Sequence, residues 1–230
     1  MNELLWLGML VVNFAFILAV YRLFGKLGLY IWIPVAVIVA NIQVVKYVEL
    51  LGLTATLGNI VYASSFLVTD ILSENYGRKE ANRAVAIGFA ALIAMVVLMN
   101  LALVFEPHAI DEAHPHLSAI FTLLPRITLA SLLAYLVSQY HDVWAYNYWK
   151  ARLPGNKRIW IRNNLSTLVS QLIDSIVFTL GAFIGVVPGT ALLEIIITTY
   201  VLKVIVAALD TPLVYLARRW HDRHVIAEEP

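Results

Sequence analysis

Seven apolar stretches, each about 20 residues long and so able to cross a bilayer, dominate this chain. They cover residues 4–24, 30–49, 55–75, 84–105, 117–140, 165–187 and 191–217. Hydrocarbon offers no partner to a backbone N–H or C=O, so stretches of this length are predicted to be helices. The predicted fold is an all-α polytopic membrane protein. Composition agrees: 61% of the 230 residues are hydrophobic and 13% are charged, where a soluble domain carries about 25% charged residues. Two connections are longer than the rest. Residues 106–116 are acidic and rich in histidine, and residues 141–164 are basic and aromatic. The N-terminus has no basic start and no small-residue cleavage site, so it reads as a retained helix.

The basic residues set the orientation. Of 16 Lys and Arg, 13 fall in four places: Arg22 and Lys26; Arg78, Lys79 and Arg83; Lys150, Arg152, Lys157, Arg158 and Arg162; Arg218, Arg219 and Arg223. Seven spans put all four on one side, and the positive-inside rule makes that side cytoplasmic. The N-terminus is then outside and the C-terminus inside, with Asp111 and Glu112 in an outer loop and Lys46 at an outer helix end. Arg126 and Lys203 are left inside spans. The 30–49 stretch is interrupted by Asn41, Gln43 and Lys46, which suits a kinked or partly re-entrant helix.

Several function classes drop out. A net charge of +1 gives no case for nucleic-acid binding. The chain has no cysteine, hence no disulfide framework or thiolate site. No GxxxxGK[ST], HExxH or GxSxG motif is present, so neither ATP binding nor an intramembrane enzyme is supported, and no catalytic residue, cofactor or metal is assigned. His108, His114 and His116 with Asp111 lack helical spacing and read as an ordinary wet loop. Asn164-Leu165-Ser166 matches a glycosylation triplet but falls on the cytoplasmic side. Ala36 and Ala40 form a small-xxx-small pair, the usual mark of close helix packing.

Polar residues inside the spans are the site candidates. Residues 57–77 read LGNIVYASSFLVTDILSENYG, and Asn59, Tyr62, Phe66, Asp70 and Ser73 share one helical face. A charge near the bilayer centre costs roughly 3 kcal/mol or more on insertion scales, so such a stripe faces protein, water or ligand. Thr167, Gln171, Asp174 and Phe178 form a second stripe. Tyr200, Lys203, Ala207 and Asp210 form a third, and Ser131, Tyr135, Gln139 and Asp142 a fourth. Asn41, Gln43, Asn59 and Arg126 belong to the outer half. The stripes could be a polar seam that glues helices together. Lys203 could pair with Asp174 or Asp210 for the same purpose. A buried ion pair is a poor source of stability, however, which favours a functional use for at least one carboxylate.

These segments carry a resemblance. GNIVYASSFLVTDILSENYG, Asn41 and Gln43 in ANIQVVK, RITLASLLAYLVSQYHDV, NLSTLVSQLIDSIVF, and Tyr200 and Lys203 in TYVLKV together resemble the queuosine precursor transporter, or vitamin-uptake-transporter-like, family. The resemblance implies a six-helix core over residues 28–220, similar to the substrate-binding S-components of energy-coupling-factor transporters. An added N-terminal helix (1–27) precedes that core and a short cytoplasmic tail (221–230) follows it. It also implies an inner-membrane importer of 7-cyano-7-deazaguanine or 7-aminomethyl-7-deazaguanine. A deazaguanine presents two adjacent N–H donors, which one carboxylate can accept together. Asp70 or Asp174 is expected in that role, with Asn59 and Gln171 as orienting amides. Lys203, Arg126 and Asn41 are expected as donors to the carbonyl, with Gln43 nearby. Tyr62, Phe66 or Phe178 would be the aromatic shelf. The expected partners are the small-molecule ligand and the bilayer. A homodimer through a small-residue face is a further expectation. A second reading is a binding subunit that needs an energy-coupling module docked on Ala36 and Ala40. Another purine-like or vitamin-like cargo is the alternative substrate.

Overall fold

The computed structural model describes the chain apart from residues 45, 51–52, 122–124, 186–188 and 227–230. Its elements are α1 (Asn2–Gln43), the strands β1 (Tyr47–Leu50) and β2 (Leu53–Thr56), α2 (Gly58–Asn75), α3 (Arg78–Ala102), α4 (His114–Phe121), α5 (Pro125–Arg152), a 3-10 turn (Asn156–Arg158), α6 (Ile159–Phe183) and α7 (Gly189–Asp222). Among the described residues, four helices are long and apolar enough to cross a membrane: α1, α3, the helix containing α6, and α7. The chain is thus a mostly helical membrane protein.

α1 is two helices folded on one another. Gly25 breaks it with φ 56° and ψ −137°, a conformation that L side chains avoid. Phe16 and Trp32 stack with ring centres 5.8 Å apart, although 16 positions would lie about 24 Å apart on a straight helix. A Cβ on Gly28 would come within 2.1 Å of the Val20 carbonyl oxygen, so only glycine lets the arms meet there. The first arm is part of the core. Its Asn13 Nδ2 donates to Ser64 Oγ at 2.5 Å, and Tyr21 accepts from Asn75 Nδ2 at 2.7 Å.

The second stretch does not stay helical to residue 49, nor does the third begin at residue 55. The helix ends at Gln43, and an antiparallel hairpin pairs Tyr47 with Thr56 and Leu50 with Leu53. Val, Tyr and Thr in this segment favour a strand over a helix, and the polar interruption at Asn41 and Gln43 is where the helix gives way. The all-α expectation needs this small correction.

The expected loop over residues 141–164 is also corrected, because most of it is helix. α5 runs past Tyr140 to Arg152, and α6 starts at Ile159. The aromatic residues that suggested a loop are spaced to stack along α5. His141 meets Trp144 at 5.7 Å, Trp144 meets Tyr148 at 5.5 Å, and the Arg152 guanidinium lies 4.0 Å from the Tyr148 ring centre. Such i,i+3 and i,i+4 pairs support a helix. The predicted fifth span, 117–140, divides into α4 and α5, with residues 122–124 outside the described set. Val187, the predicted end of the sixth span, is also outside it.

α2 is the central element. Every residue from Ile60 to Glu74 is buried except Tyr62, which is partly so. Ala36 and Ala40 of α1 pack against it at Val61, and a Cβ on Gly58 would meet the Ala40 carbonyl oxygen at 2.4 Å. The small-residue face is therefore covered by the chain itself and is not free to dock a partner.

The basic groups gather at one end. Lys26 lies 3.4 Å from Glu80, Arg22 lies 5.6 Å from the Trp220 ring centre, and Lys26 lies 5.8 Å from that of Tyr76. Arg162 was placed in a basic loop by its sequence context but is 1% exposed, with Nη2 2.5 Å from Glu74 Oε1. The opposite end carries the hairpin, where Asn2 Nδ2 donates to the Glu49 carbonyl at 3.0 Å.

Candidate functional site

A pocket lies near the hairpin end, between α1, α2, α5, α6 and α7. Ala40, Asn41 and Val44 come from the end of α1, and Gly58, Asn59 and Tyr62 from the first turns of α2. Ser131 and Ala134 come from α5, Asp174 and Phe178 from α6, and Lys203 from α7. Helical spacing explains the selection: Asn59 and Tyr62, Asp174 and Phe178, and Ser131 and Ala134 are each three or four apart.

Asp174 is the charged floor of this pocket. Its Oδ1 accepts from Tyr62 Oη at 2.5 Å and from Ser138 Oγ at 3.1 Å, and its Oδ2 accepts from Lys203 Nζ. Asp174 and Lys203 are 3% and 2% exposed. The two aromatic rings nearest are Tyr135, 5.9 Å from Tyr62, and Phe66, 6.2 Å from Tyr62, both edge-on. The paired charges are satisfied by neighbours, which is the condition for burying them at tolerable cost. The arrangement offers a ligand a carboxylate, an ammonium with unused N–H donors, two amides and a ring face.

The structure separates the sequence candidates into groups. Asn41, Asn59, Tyr62, Asp174, Phe178 and Lys203 meet at the pocket. Phe66 is wholly buried one turn below Tyr62. Asp70 lies two turns beyond Tyr62 toward the basic end, where Oδ2 accepts from Thr167 Oγ1 at 3.1 Å. Gln171 is wholly buried with neither amide atom hydrogen-bonded. Gln43 has a buried side-chain oxygen without a partner, and it does not line the pocket. Arg126 does not line the pocket. It is exposed, and it caps the end of α6 through Nε to Gly181 O at 2.8 Å and Nη2 to Ile184 O at 2.5 Å. That satisfies carbonyls left open at a helix C-terminus.

Ser138 escaped the sequence reading, although it sits three residues after Tyr135 on the same stripe and touches Asp174 directly. Glu74 lies next to Ser73, beyond the end of the α2 stripe. It accepts from Tyr146 Oη at 3.0 Å and meets Arg162, with Lys150 Nζ at 3.9 Å and Arg218 Nη1 at 3.8 Å. Its partners come from three other helices, so no local pattern could announce it. Among the described residues, no group of His, Asp or Glu side chains is arranged so that it could hold a metal ion, including in the histidine-rich loop over residues 106–116.

Comparison with known proteins agrees with the membrane setting. Residues 56–217 match the family described as "Putative vitamin uptake transporter". A Bacillus subtilis protein named "Probable queuosine precursor transporter" is 43% identical over 218 residues, 95% of each chain. The Escherichia coli "Queuosine precursor transporter" is 30% identical over 146 residues, 63% of this chain and 62% of its own. No solved structure matches the chain.

Proposed function

The chain belongs to the vitamin uptake transporter family, a multi-pass membrane transporter and not an enzyme, and from that premise we propose that it imports a 7-deazaguanine precursor of queuosine through the pocket above Asp174. The carrying observation is the convergence of Asp174, Lys203, Asn59 and Phe178 on one cavity.

The residues divide the ligand's chemistry between them. Asp174 accepts the ring N–H and exocyclic amine in a bidentate, charge-assisted pair. Lys203, released in part from Asp174, donates to the carbonyl oxygen, and Asn41 and Asn59 orient the ring edge. Phe178 supplies the stacking face, worth about 1–3 kcal/mol per base. Asp70 and Gln171 lie deeper, on the path toward the basic end. The helix order and the gathering of cations at one end support seven crossings: two from α1 and one each from α2, α3, α5, α6 and α7. The N-terminus is then outside and the basic end cytoplasmic. In this arrangement residues 1–27 form an arm packed on the six-helix core of 28–220.

Direct binding to the purified chain tests the reading, with 7-cyano-7-deazaguanine, 7-aminomethyl-7-deazaguanine and guanine as ligands. The precursors should bind and compete at one site. Equal binding of guanine, or none of the three, would overturn the substrate assignment. Uptake by the chain expressed alone separates a self-sufficient importer from a subunit that needs an energy-coupling module.

A further inference from the structure

Eight residues beyond Tyr62 on α2, about 12 Å along the helix, a second polar layer lies outside the pocket. Three carboxyls from three helices belong to it: Asp70 of α2, Asp142 of α5 and Asp210 of α7, each with no solvent exposure. α5 faces α2 at this depth, with Thr69 donating to Gln139 at 3.4 Å and Asn147 donating to Ser73 at 3.2 Å, so Asp142 is set beside Asp70; the α6 residues that donate to Asp70 and Asp210, Thr167 and Asn163, are one turn apart. Donors are scarce. Thr167 Oγ1 donates to Asp70 Oδ2 at 3.1 Å, and Asn163 Nδ2 to Asp210 Oδ1 at 3.1 Å. Ser166 and Ser170 spend their hydroxyl hydrogens on backbone carbonyls at 3.1 and 2.8 Å. Both oxygens of Asp142, Oδ1 of Asp70 and Oδ2 of Asp210 are left without a donor.

A residue outside the acidic group points the same way. Asn163 is wholly buried and neutral, and its bond to Asp210 carries its amide to this layer. Its own Oδ1 also has no partner. Five buried acceptor oxygens in this layer thus lack a donor. The neighbouring charges do not help. On α2, Glu74 adds another anion one turn away. On α5, His141 contacts Ser170 and Tyr146 donates to Glu74, while Lys150 binds near Glu74. On α6, Arg162 pairs with Glu74, and on α7 Arg218 does the same while Lys203 pairs with Asp174. Among the described residues no cation is left for the three aspartates. Leaving three unpaired carboxylates in hydrocarbon depth is prohibitive.

We propose that this layer is a proton-binding site: Asp70 and Asp142 hold one proton between them, and ligand import is coupled to its release toward the basic end. In the loaded state one carboxyl is an O–H that donates to the other. On release that O–H bond breaks, both groups become carboxylates, and the proton passes to water. The coupling rests on the import reading above, whereas the proton site does not.

Infrared spectroscopy of the purified parent near neutral pH tests the site directly. A protonated-carboxyl stretch should be present, shift in D2O, and vanish in Asp142→Asn. Its absence from the parent overturns the site, and this reading needs no variant to fold. Vesicle uptake of 7-cyano-7-deazaguanine tests the coupling. An imposed proton gradient should raise uptake several-fold in the parent, and Asp142→Asn should bind ligand yet ignore the gradient. Uptake indifferent to protons, or driven by sodium instead, overturns the coupling while the infrared band still decides the site. If the parent binds no deazaguanine, the import reading fails and the band again stands alone.

Discussion

Lys203 directs its ammonium at Asp174 and, with the same atom, lies 5.1 Å from the centre of the Tyr62 ring, whose hydroxyl donates to the other oxygen of Asp174. Three helices therefore meet on one carboxylate at the pocket floor. A ligand that borrows Asp174 must be compensated by Lys203 and Tyr62 in the same motion.

Changing Asp174 should separate binding from folding. Asp174→Asn replaces an acceptor by a donor facing two donors, and affinity should fall by about 2–4 kcal/mol, roughly 30- to 1000-fold. Lys203→Met leaves Asp174 charged and unpaired and should cost about 3–5 kcal/mol of stability. The double variant Asp174→Asn with Lys203→Met should recover much of the thermal stability but none of the affinity. Calorimetric binding beside melting in detergent checks this, and parent-like binding by the double variant would remove Asp174 from the site.

Gly58→Ala should loosen the pocket from its α1 side. The new Cβ would press on the Ala40 carbonyl oxygen at 2.4 Å, a backbone atom that cannot swing away. Overpacking of this kind costs about 1–3 kcal/mol, and Asn41 and Asn59 flank the contact, so melting temperature and ligand affinity should fall together. Gly8→Ala is the control, since nothing lies within 4 Å of its added Cβ. It should leave both unchanged or raise stability slightly through helix propensity.

Glu74→Gln should be among the most destabilising single changes in the chain. Glu74 is 4% exposed and faces the Arg162 guanidinium, itself 1% exposed. Removing one partner of such a pair costs about 3–5 kcal/mol. Arg218 is more exposed, at 26% for its side chain, so Arg218→Gln should cost well under that. Thermal melting of the two variants orders them, and an equal loss would show that burial does not set the strength of these contacts.

The two chain ends should report opposite sides of the membrane. An odd number of crossings places the N-terminus outside when the basic end is cytoplasmic. Paired reporter fusions at Met1 and after Asp222 measure this. The same compartment at both ends would require an even count and a different role for the hairpin.

Much of the lining of the candidate site was legible because helical periodicity survives folding. The stripes on residues 59–73, 167–178 and 200–210 each delivered a side chain to the interior, with Tyr62, Asp174 and Lys203 in contact. What periodicity could not supply was depth and pairing. It could not tell Asp174, at the pocket, from Asp70, about 12 Å further along α2 by helical rise. It could not show that Arg126 turns to the end of α6, where it donates to the Gly181 carbonyl. The β1–β2 hairpin was hidden because a short apolar run reads alike as helix or strand. The helical form of residues 141–152 was hidden because charge and aromatic content imitate a loop. The Ala36–Ala40 face was read correctly as a packing surface, but one sequence cannot say whether the surface it packs on is its own.

The partners of Glu74, taken together with those of Asp174, have a mechanical consequence. Asp174 of α6 is held from α2, α5 and α7 by Tyr62, Ser138 and Lys203. Glu74 of α2 is held from α5, α6 and α7 by Tyr146, Arg162 and Arg218. The same four helices are hooped twice, once at each end, each time around a single carboxylate. On the import reading, a ligand that draws Asp174 away from Tyr62 and Lys203 opens one hoop and leaves the other intact. Because the two rings of contacts share no side chain, either can be broken without unstringing the other.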